Sequence, residues 1–330
     1  MGKKVLLTQP IHSDAIARLR EEAEVVIAES TEESVVKKAI KDADGAIVRV
    51  SPFTRAIIES GDKLKVIGRH GVGLDNIDVK AATEHNIPVV YAPGSNTNAV
   101  AEHAVTLMLA LAKKLLQAHT ALSRRGDYQC RLTIRTGEIK DKVVGIVGLG
   151  QIGRRVAAIC QHGFGAKLIT YDPYLSQETL QSSGLKVKVV AKLDDLLQEA
   201  DFVSLHAPAT PDNLKLIGTR ELALMKKSAF LINTGRGELV DEEALYQALT
   251  QGIISGAGLD VFDPEPPEQG NPLFGLPNVV VTPHMAAHSE EGLRMMAMMA
   301  AEQVLQVLRG ERPPHLANPQ IWESRRFKQS

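Results

Sequence analysis

One short segment constrains the fold of this chain more than any other. Gly148-Leu-Gly150-Gln151-Ile152-Gly153 follows directly on the apolar run Val143 to Val147 and opens a helical pattern over Arg154 to His162. Three glycines at that spacing mean little alone, but between a strand and a helix they describe a defined turn. Gly148 permits the bend, Gly150 lets a pyrophosphate approach the backbone, and Gly153 lets helix and strand pack closely. The helix N-terminus adds N–H donors and a favourable dipole for phosphate. A second apolar run, LITYD, ends at Asp172. A carboxylate there can accept hydrogen bonds from both ribose hydroxyls of an adenosine and repels a 2′-phosphate. Pro173 and Tyr174 bring no arginine to offset that repulsion, so NAD is expected rather than NADP.

The rest of the chain repeats the strand-then-helix rhythm. The runs VLL, VVIA, AIVRV, VIGRH and VVYA alternate with helical patterns before residue 98. A single long helix is expected from about Asn98 to Leu122, then a loop rich in Arg and Gly. From Lys142 the rhythm restarts with VVGIVG, LITYD, VKVV, FVSLHAP, AFLINT, GAGLDVF and VVVTPH, and a last amphipathic helix covers Glu290 to Gly310. Two such series predict an α/β protein of two doubly wound parallel-sheet domains. The methionines of Met295-Met-Ala-Met-Met299 are expected to pack in a core. Gly71-Val72-Gly73 imitates the start of the nucleotide turn, but Asn76 stands where the third glycine belongs. It reads as a turn whose backbone comes close to a ligand.

Composition excludes several functions. Of 330 residues 44% are apolar and 23% charged, enough for buried cores under a polar surface, and the net charge of -1 leaves no basic excess for nucleic acid or an anionic membrane. Cys130 and Cys160 are the only cysteines, too few for a disulfide framework or a zinc site. The first apolar run stops at Gln9 and Pro10, too soon for a signal peptide, and the apolar stretch Ala99 to Leu116 carries Glu102, His103, Lys113 and Lys114, so no membrane span is expected. A cytoplasmic location follows as the simplest expectation.

Polar groups after the later strands carry the chemical argument, because doubly wound sheets bind ligands at their carboxyl edge. Arg236 lies between two glycines after the run AFLI, a setting suited to a bidentate grip on a carboxylate. After GAGL comes Asp260-Val-Phe-Asp-Pro-Glu265-Pro-Pro267, in which Glu265 or Asp263 could partner a histidine. His284 follows VVV, and a histidine of near-neutral pKa at such an edge suits proton exchange with a carbonyl or hydroxyl. His288 four residues on invites a zinc reading, but no third ligand has suitable spacing, and no metal is expected.

These blocks together resemble the D-2-hydroxyacid dehydrogenase family, the group of phosphoglycerate dehydrogenases and of hydroxypyruvate and glyoxylate reductases. The resemblance is carried by Gly68 to Asp78, Ser95 to His103, GLGQIG, Ser204 to Pro208, Asn233 to Gly237, Leu259 to Pro266 and Pro283-His284, in the family's order. It implies an oxidoreductase that acts on CH–OH groups and interconverts a small 2-oxo acid and its D-2-hydroxy acid with NAD. It assigns the catalytic roles to Arg236, Glu265 and His284, and so chooses Glu265 over Asp263.

The resemblance also implies a Rossmann NAD domain, residues 100–289, inserted into a flavodoxin-like substrate domain of residues 1–99 and 290–330, the two closing over the substrate. The implied cofactor set is Gly148, Gly150, Gln151, Ile152, Gly153, Asp172, His206, Ala207, Pro208, Thr234, Arg236, Asp260, His284 and Ala286. The implied substrate set is Arg49, Arg69, His70, Val72 and Gly73 together with Arg236 and His284. Subunits of such proteins pair through the NAD domain, so a homodimer is expected. Phosphorylated and unphosphorylated substrates both stay open. The same fold also serves an NADH-sensing corepressor that binds protein partners through long flanking segments, and formate dehydrogenase, which carries Gln where Glu265 stands.

Overall fold

The computed structural model describes residues 2–327, and its contacts divide the chain into two units, residues 1–96 with 288–330 and residues 97–287. The crossings fall slightly before the expected boundaries. In the first unit β1 (Lys3–Leu7), β2 (Ala23–Ile27), β3 (Gly45–Val48), β4 (Val66–Arg69) and β5 (Val89–Val90) alternate with α1 (Ser13–Arg20), α2 (Glu33–Ile40), α3 (Arg55–Glu59) and α4 (Val79–Glu84). The strands pair in parallel in the order β2-β1-β3-β4-β5, the flavodoxin-like arrangement.

The second unit opens with α5 (Thr97–Ala112) and α6 (Leu115–Arg125). It continues through β6 (Val143–Val147), α7 (Gln151–Ala158), β7 (Lys167–Tyr171), α8 (Gln177–Ser182), β8 (Val187–Val189), α9 (Leu193–Glu199) and β9 (Phe202–Leu205). Then come α10 (Thr219–Leu224), β10 (Phe230–Asn233), α11 (Glu242–Thr250), β11 (Gly256–Leu259) and β12 (Val279–Val281). Its seven parallel strands run β12-β11-β10-β9-β6-β7-β8, so the direction of winding reverses between β6 and β9. The chain returns to the first unit with α12 (Glu290–Arg309). Both sheets carry a buried apolar cluster on each face, as parallel sheets require. The expected fold class of two doubly wound sheets is the one observed.

Three expectations need correction. The long helix from Asn98 to Leu122 is two helices, because the carbonyl of Ala112 accepts the N–H of Gly137 rather than continuing the ladder, and Lys114 turns to φ 48° before α6 begins. The helix after the glycine turn starts at Gln151 and ends at Ala158, where a wider π-turn, Ile159–Gly163, takes over. Of the methionine block, Met296 is buried in α12 while Met295 is exposed, since adjacent positions on a helix point to different faces.

Candidate active site

At the reversal point the glycine turn forms a cradle. Gly148 has φ +88°, and a Cβ on it would lie 3.0 Å from the backbone of His206 and Ala207, so the loops after β6 and β9 touch at this glycine. A Cβ on Gly153 would fall 2.1 Å from the carbonyl oxygen of Gly148, which seats α7 directly on the turn. Around Gly150, by contrast, no atom lies within 4 Å of the position a Cβ would take. That open face, backed by the N-terminus of α7, fits a dinucleotide pyrophosphate. At the end of β7, Asp172 accepts the N–H of Leu149 and of Tyr174, both at 2.9 Å, and is held beside the cradle.

After β9, His206 makes a 2.8 Å contact to Ser204 Oγ through Nε2, and burial depresses its pKa to about 4, so the ring is neutral at pH 7. After β10, the hydroxyl of Thr234 is buried with no protein partner, a polar atom suited to a polar group of a bound cofactor. These residues, with Gln151 and Ile152 in the first turn of α7, fit the nicotinamide dinucleotide expected here.

The three residues read as catalytic come from the ends of neighbouring strands β10, β11 and β12. Asn233 shapes the first loop: its Nδ2 donates to the carbonyl of Arg236 at 2.8 Å, and its Oδ1 accepts the N–H of Gly235 at 3.0 Å. The Arg236 guanidinium donates to the carbonyl of Gly235 at 2.8 Å. A Cβ on Gly237 would overlap the carbonyl of Phe262 at 1.9 Å, so only glycine lets the Arg236 loop lie against the loop that leads to Glu265. One Glu265 oxygen, Oε1, accepts the N–H of Phe262 at 3.1 Å, and the other, Oε2, stands 2.6 Å from Nδ1 of His284. Asp263 is exposed, and its N–H donates to Glu242.

The Glu265 hydrogen bond raises the pKa of His284 above the ordinary imidazole value, against an opposing effect of burial and of the Arg236 charge. Burial pushes the Glu265 carboxyl up, but the bond to His284 and the charge of that ring outweigh it, and its pKa falls below the ordinary value. With Nδ1 committed to Glu265, Nε2 is the nitrogen left to carry a proton to and from a substrate. The ring is half-exposed, as such a role requires.

Asp260 organises this loop to a degree that sequence reasoning missed. Its carboxylate is fully buried and accepts the hydroxyl of Thr282 at 2.6 Å and the N–H groups of Met285 and Ala286 at 2.9 and 2.8 Å. Its carbonyl accepts the N–H of His284 at 2.7 Å. These bonds hold His284 at φ 49°, a left-handed backbone conformation that is uncommon for residues other than glycine, although His adopts it more readily than most. His103 on α5 reaches the same network through Thr282. In the sequence His103 is one of several polar residues in a largely apolar helix; it closes the block Ser95 to His103 that carries part of the resemblance, but nothing in that block names Thr282 or Asp260 as its partners.

In the other unit, the residues read as substrate ligands cluster at the carboxyl ends of β3 and β4. Arg69 turns its guanidinium inward, donating to the carbonyls of Gly73 at 2.6 Å, His70 at 2.8 Å and Arg49. The turn Gly71-Val72-Gly73 therefore wraps around its own arginine, which braces the loop. Arg49 donates to the carbonyl of Pro10 at 3.1 Å. His70 is buried, with Nε2 unpartnered, and burial followed by the charges of Arg49 and Arg69 depresses its pKa to about 4.

Residues 105–286 match the family model described as D-isomer specific 2-hydroxyacid dehydrogenase, NAD binding domain. Among curated relatives, D-3-phosphoglycerate dehydrogenase of Methanocaldococcus jannaschii is 45% identical over 96% of this chain and 59% of its own length. Glyoxylate reductase of Korarchaeum cryptofilum is 35% identical over 97% of both chains. The chain thus spans little more than half the length of the phosphoglycerate dehydrogenases it matches. A solved structure, the TT0316 protein from Thermus thermophilus, is 36% identical and superposes with a TM-score of 0.86, covering 95% of this chain and 99% of that one.

Proposed function

Because the chain belongs to the D-isomer specific 2-hydroxyacid dehydrogenase family, we propose that it interconverts a small 2-oxo acid and its D-2-hydroxy acid with NAD. The observation that carries this reading is the 2.6 Å contact between Glu265 and His284 beside the Arg236 loop: one cation for a carboxylate and one proton donor for an oxygen two bonds away. The relatives are named as dehydrogenases and reductases, which favours this reading over a corepressor on the same fold.

In the reducing direction Arg236 binds the substrate carboxylate and turns the C2 carbonyl oxygen toward Nε2 of His284. NADH, when held by the Gly148–Gly153 turn and Asp172, would supply the hydride for C2. His284 delivers its Nε2 proton to that oxygen, and Glu265 stabilises the imidazolium before the transfer and fixes the ring in the form that receives a proton in reverse. Asp172, at the end of a strand followed by Pro173 and Tyr174, supports NAD over NADP. The turn Gly71–Gly73, with Arg49 and His70, is assigned to the substrate, and Arg69 to holding that turn.

A homodimer through the NAD-binding unit is part of the proposal, supported by the exposed apolar side chains Leu115, Leu116, Leu122, Tyr128 and Leu132 on α6 and the turn after it. No helix among the described residues is long and apolar enough to cross a membrane. A cytoplasmic setting is supported by two free cysteines.

The test is to follow cofactor absorbance with NADH, and separately NADPH, against glyoxylate, hydroxypyruvate, 3-phosphohydroxypyruvate, pyruvate and bulkier 2-oxo acids. NADH-selective reduction of at least one is expected. NADH binding with no turnover on any of them overturns the reading.

A further inference from the structure

Strand β11 presents glycine at two alternate positions under α5, and at the second the helix comes too close for any side chain. A Cβ on Gly258 would lie 2.9 Å from Cβ of Leu107, while one on Gly256 would lie 2.5 Å from the carbonyl oxygen of Asn278 and at contact distance, 3.4 Å, from the side chain of Leu111. A step of four residues along a helix, about 6 Å, matches a step of two along a strand, about 6.6 Å. The next pair in this register is His103 with Asp260, and there apolar packing gives way to a polar contact. Nε2 of His103 stands 2.9 Å from the hydroxyl of Thr282 and 3.6 Å from Oδ1 of Asp260. Thr282 has one hydroxyl proton, and its 2.6 Å bond to Asp260 uses it. The hydroxyl therefore accepts from His103, whose proton is held on Nε2.

We propose that His103 and Thr282 are positioning residues for His284, acting through Asp260. His103 fixes the hydroxyl rotamer of Thr282, Thr282 fixes the carboxylate plane of Asp260, and that carboxylate holds the N–H groups of Met285 and Ala286 directly after His284. Without the hydroxyl, Oδ1 of Asp260 keeps only the Met285 N–H and a buried charge loses one of its three bonds, so the support for the left-handed backbone at His284 is loosened and the ring shifts from the 2.6 Å contact with Glu265. The proposal rests on the dehydrogenase reading for its kinetic consequence only.

Thr282→Val removes the hydroxyl at nearly constant shape and Thr282→Ser restores it. His103→Leu removes the donor, and His103→Gln returns an N–H near the position of Nε2. Two readouts separate the claims: kcat and KM for 2-oxo acid reduction with NADH, and the downfield proton resonance of the His284 Nδ1–H, assigned by its loss in Glu265→Gln. Thr282→Val and His103→Leu are expected to lower kcat about tenfold or more, the range for a displaced proton donor, with KM and NADH affinity little changed and the resonance broadened or lost. Thr282→Ser and His103→Gln are expected to recover both signals.

A Thr282→Val protein that keeps the parent's kcat and resonance overturns the proposal. So does a loss that Thr282→Ser fails to restore in a folded protein. Should Thr282→Val not fold, His103→Leu decides by the same two criteria. If the parent reduces none of the 2-oxo acids, the dehydrogenase reading fails, and the resonance still accepts or rejects the positioning chain.

Discussion

Two turns in this molecule share a G-x-G opening after a parallel strand and do opposite things with it. Gly148-Leu-Gly150 packs its first glycine against His206 and Ala207 and leaves its second open at the N-terminus of α7, while Gly71-Val-Gly73 curls around the guanidinium of Arg69, whose atoms lie 3.4 to 3.5 Å from where a Cβ of Gly71 would be. The lesson is that glycine spacing specifies the bend, and what fills its concave side specifies the use. A bend whose second glycine no side chain crowds, with a helix N-terminus behind it, can accept phosphate. A bend stitched to its own arginine is a braced loop that presents its remaining backbone outward.

This contrast can be tested at both turns and at the strand ends beyond them. The largest effect is expected at the carboxyl edge of the nucleotide unit: His284→Ala should lower kcat by roughly 100-fold or more, the contribution of a general acid, while the melting temperature hardly moves because the ring is half-exposed. Retained turnover in steady-state assays would remove His284 from the mechanism.

Next comes Gly150→Ala. Its methyl group meets no protein atom within 4 Å, so the fold should be unaffected, yet it occupies the space reserved for the pyrophosphate. NADH affinity should fall by about tenfold or more, roughly 1.4 kcal/mol, in a fluorescence titration. Unchanged affinity would place the cofactor elsewhere.

Gly71→Ala should do the reverse. At φ +142° a side chain is strained, so denaturant unfolding should report a loss of about 1 to 2 kcal/mol, with NADH affinity untouched. A weakened cofactor and an unaltered stability at this position would erase the distinction between the turns.

The smallest effect is a displacement on the pH axis. Glu265 raises the pKa of His284 chiefly through their hydrogen bond, so reduction, which needs the imidazolium, persists up to that raised pKa and falls as pH rises through it. Glu265→Gln removes the cause, and the alkaline limb of kcat should move to lower pH. A limb that stays in place would deny Glu265 this role.

Much of the site was legible because its residues sit at strand ends, and strand ends are visible in sequence as the places where an apolar run stops. Gly148 to Gly153, Asp172, Arg236 and His284 all follow this pattern. Glu265 did not: Asp263 is as close to its strand in sequence, and the seating of Gly237 against Phe262 accompanies the arrangement that carries Glu265, not Asp263, to the imidazole. Arg69 reads in the sequence as a cation for substrate because a sequence displays charge and not direction, and its turn onto the carbonyls of Gly73, Val48, Arg49 and His70 appears only when the loop is folded.

The sequence by itself determined the parallel α/β class, the existence of two units and the nucleotide turn, since periodicity, glycine spacing and apolar runs are local properties of the chain. Tertiary structure alone decided that α5 and α6 are separate, because the carbonyl that would join them is taken by Gly137. It alone decided that His103 meets Thr282 and Asp260 across 179 and 157 positions, 282 − 103 and 260 − 103, of chain. Such encounters depend on how closely a helix can lie on a strand, here on Gly258 under Leu107, and distance between elements is a property that no single segment carries.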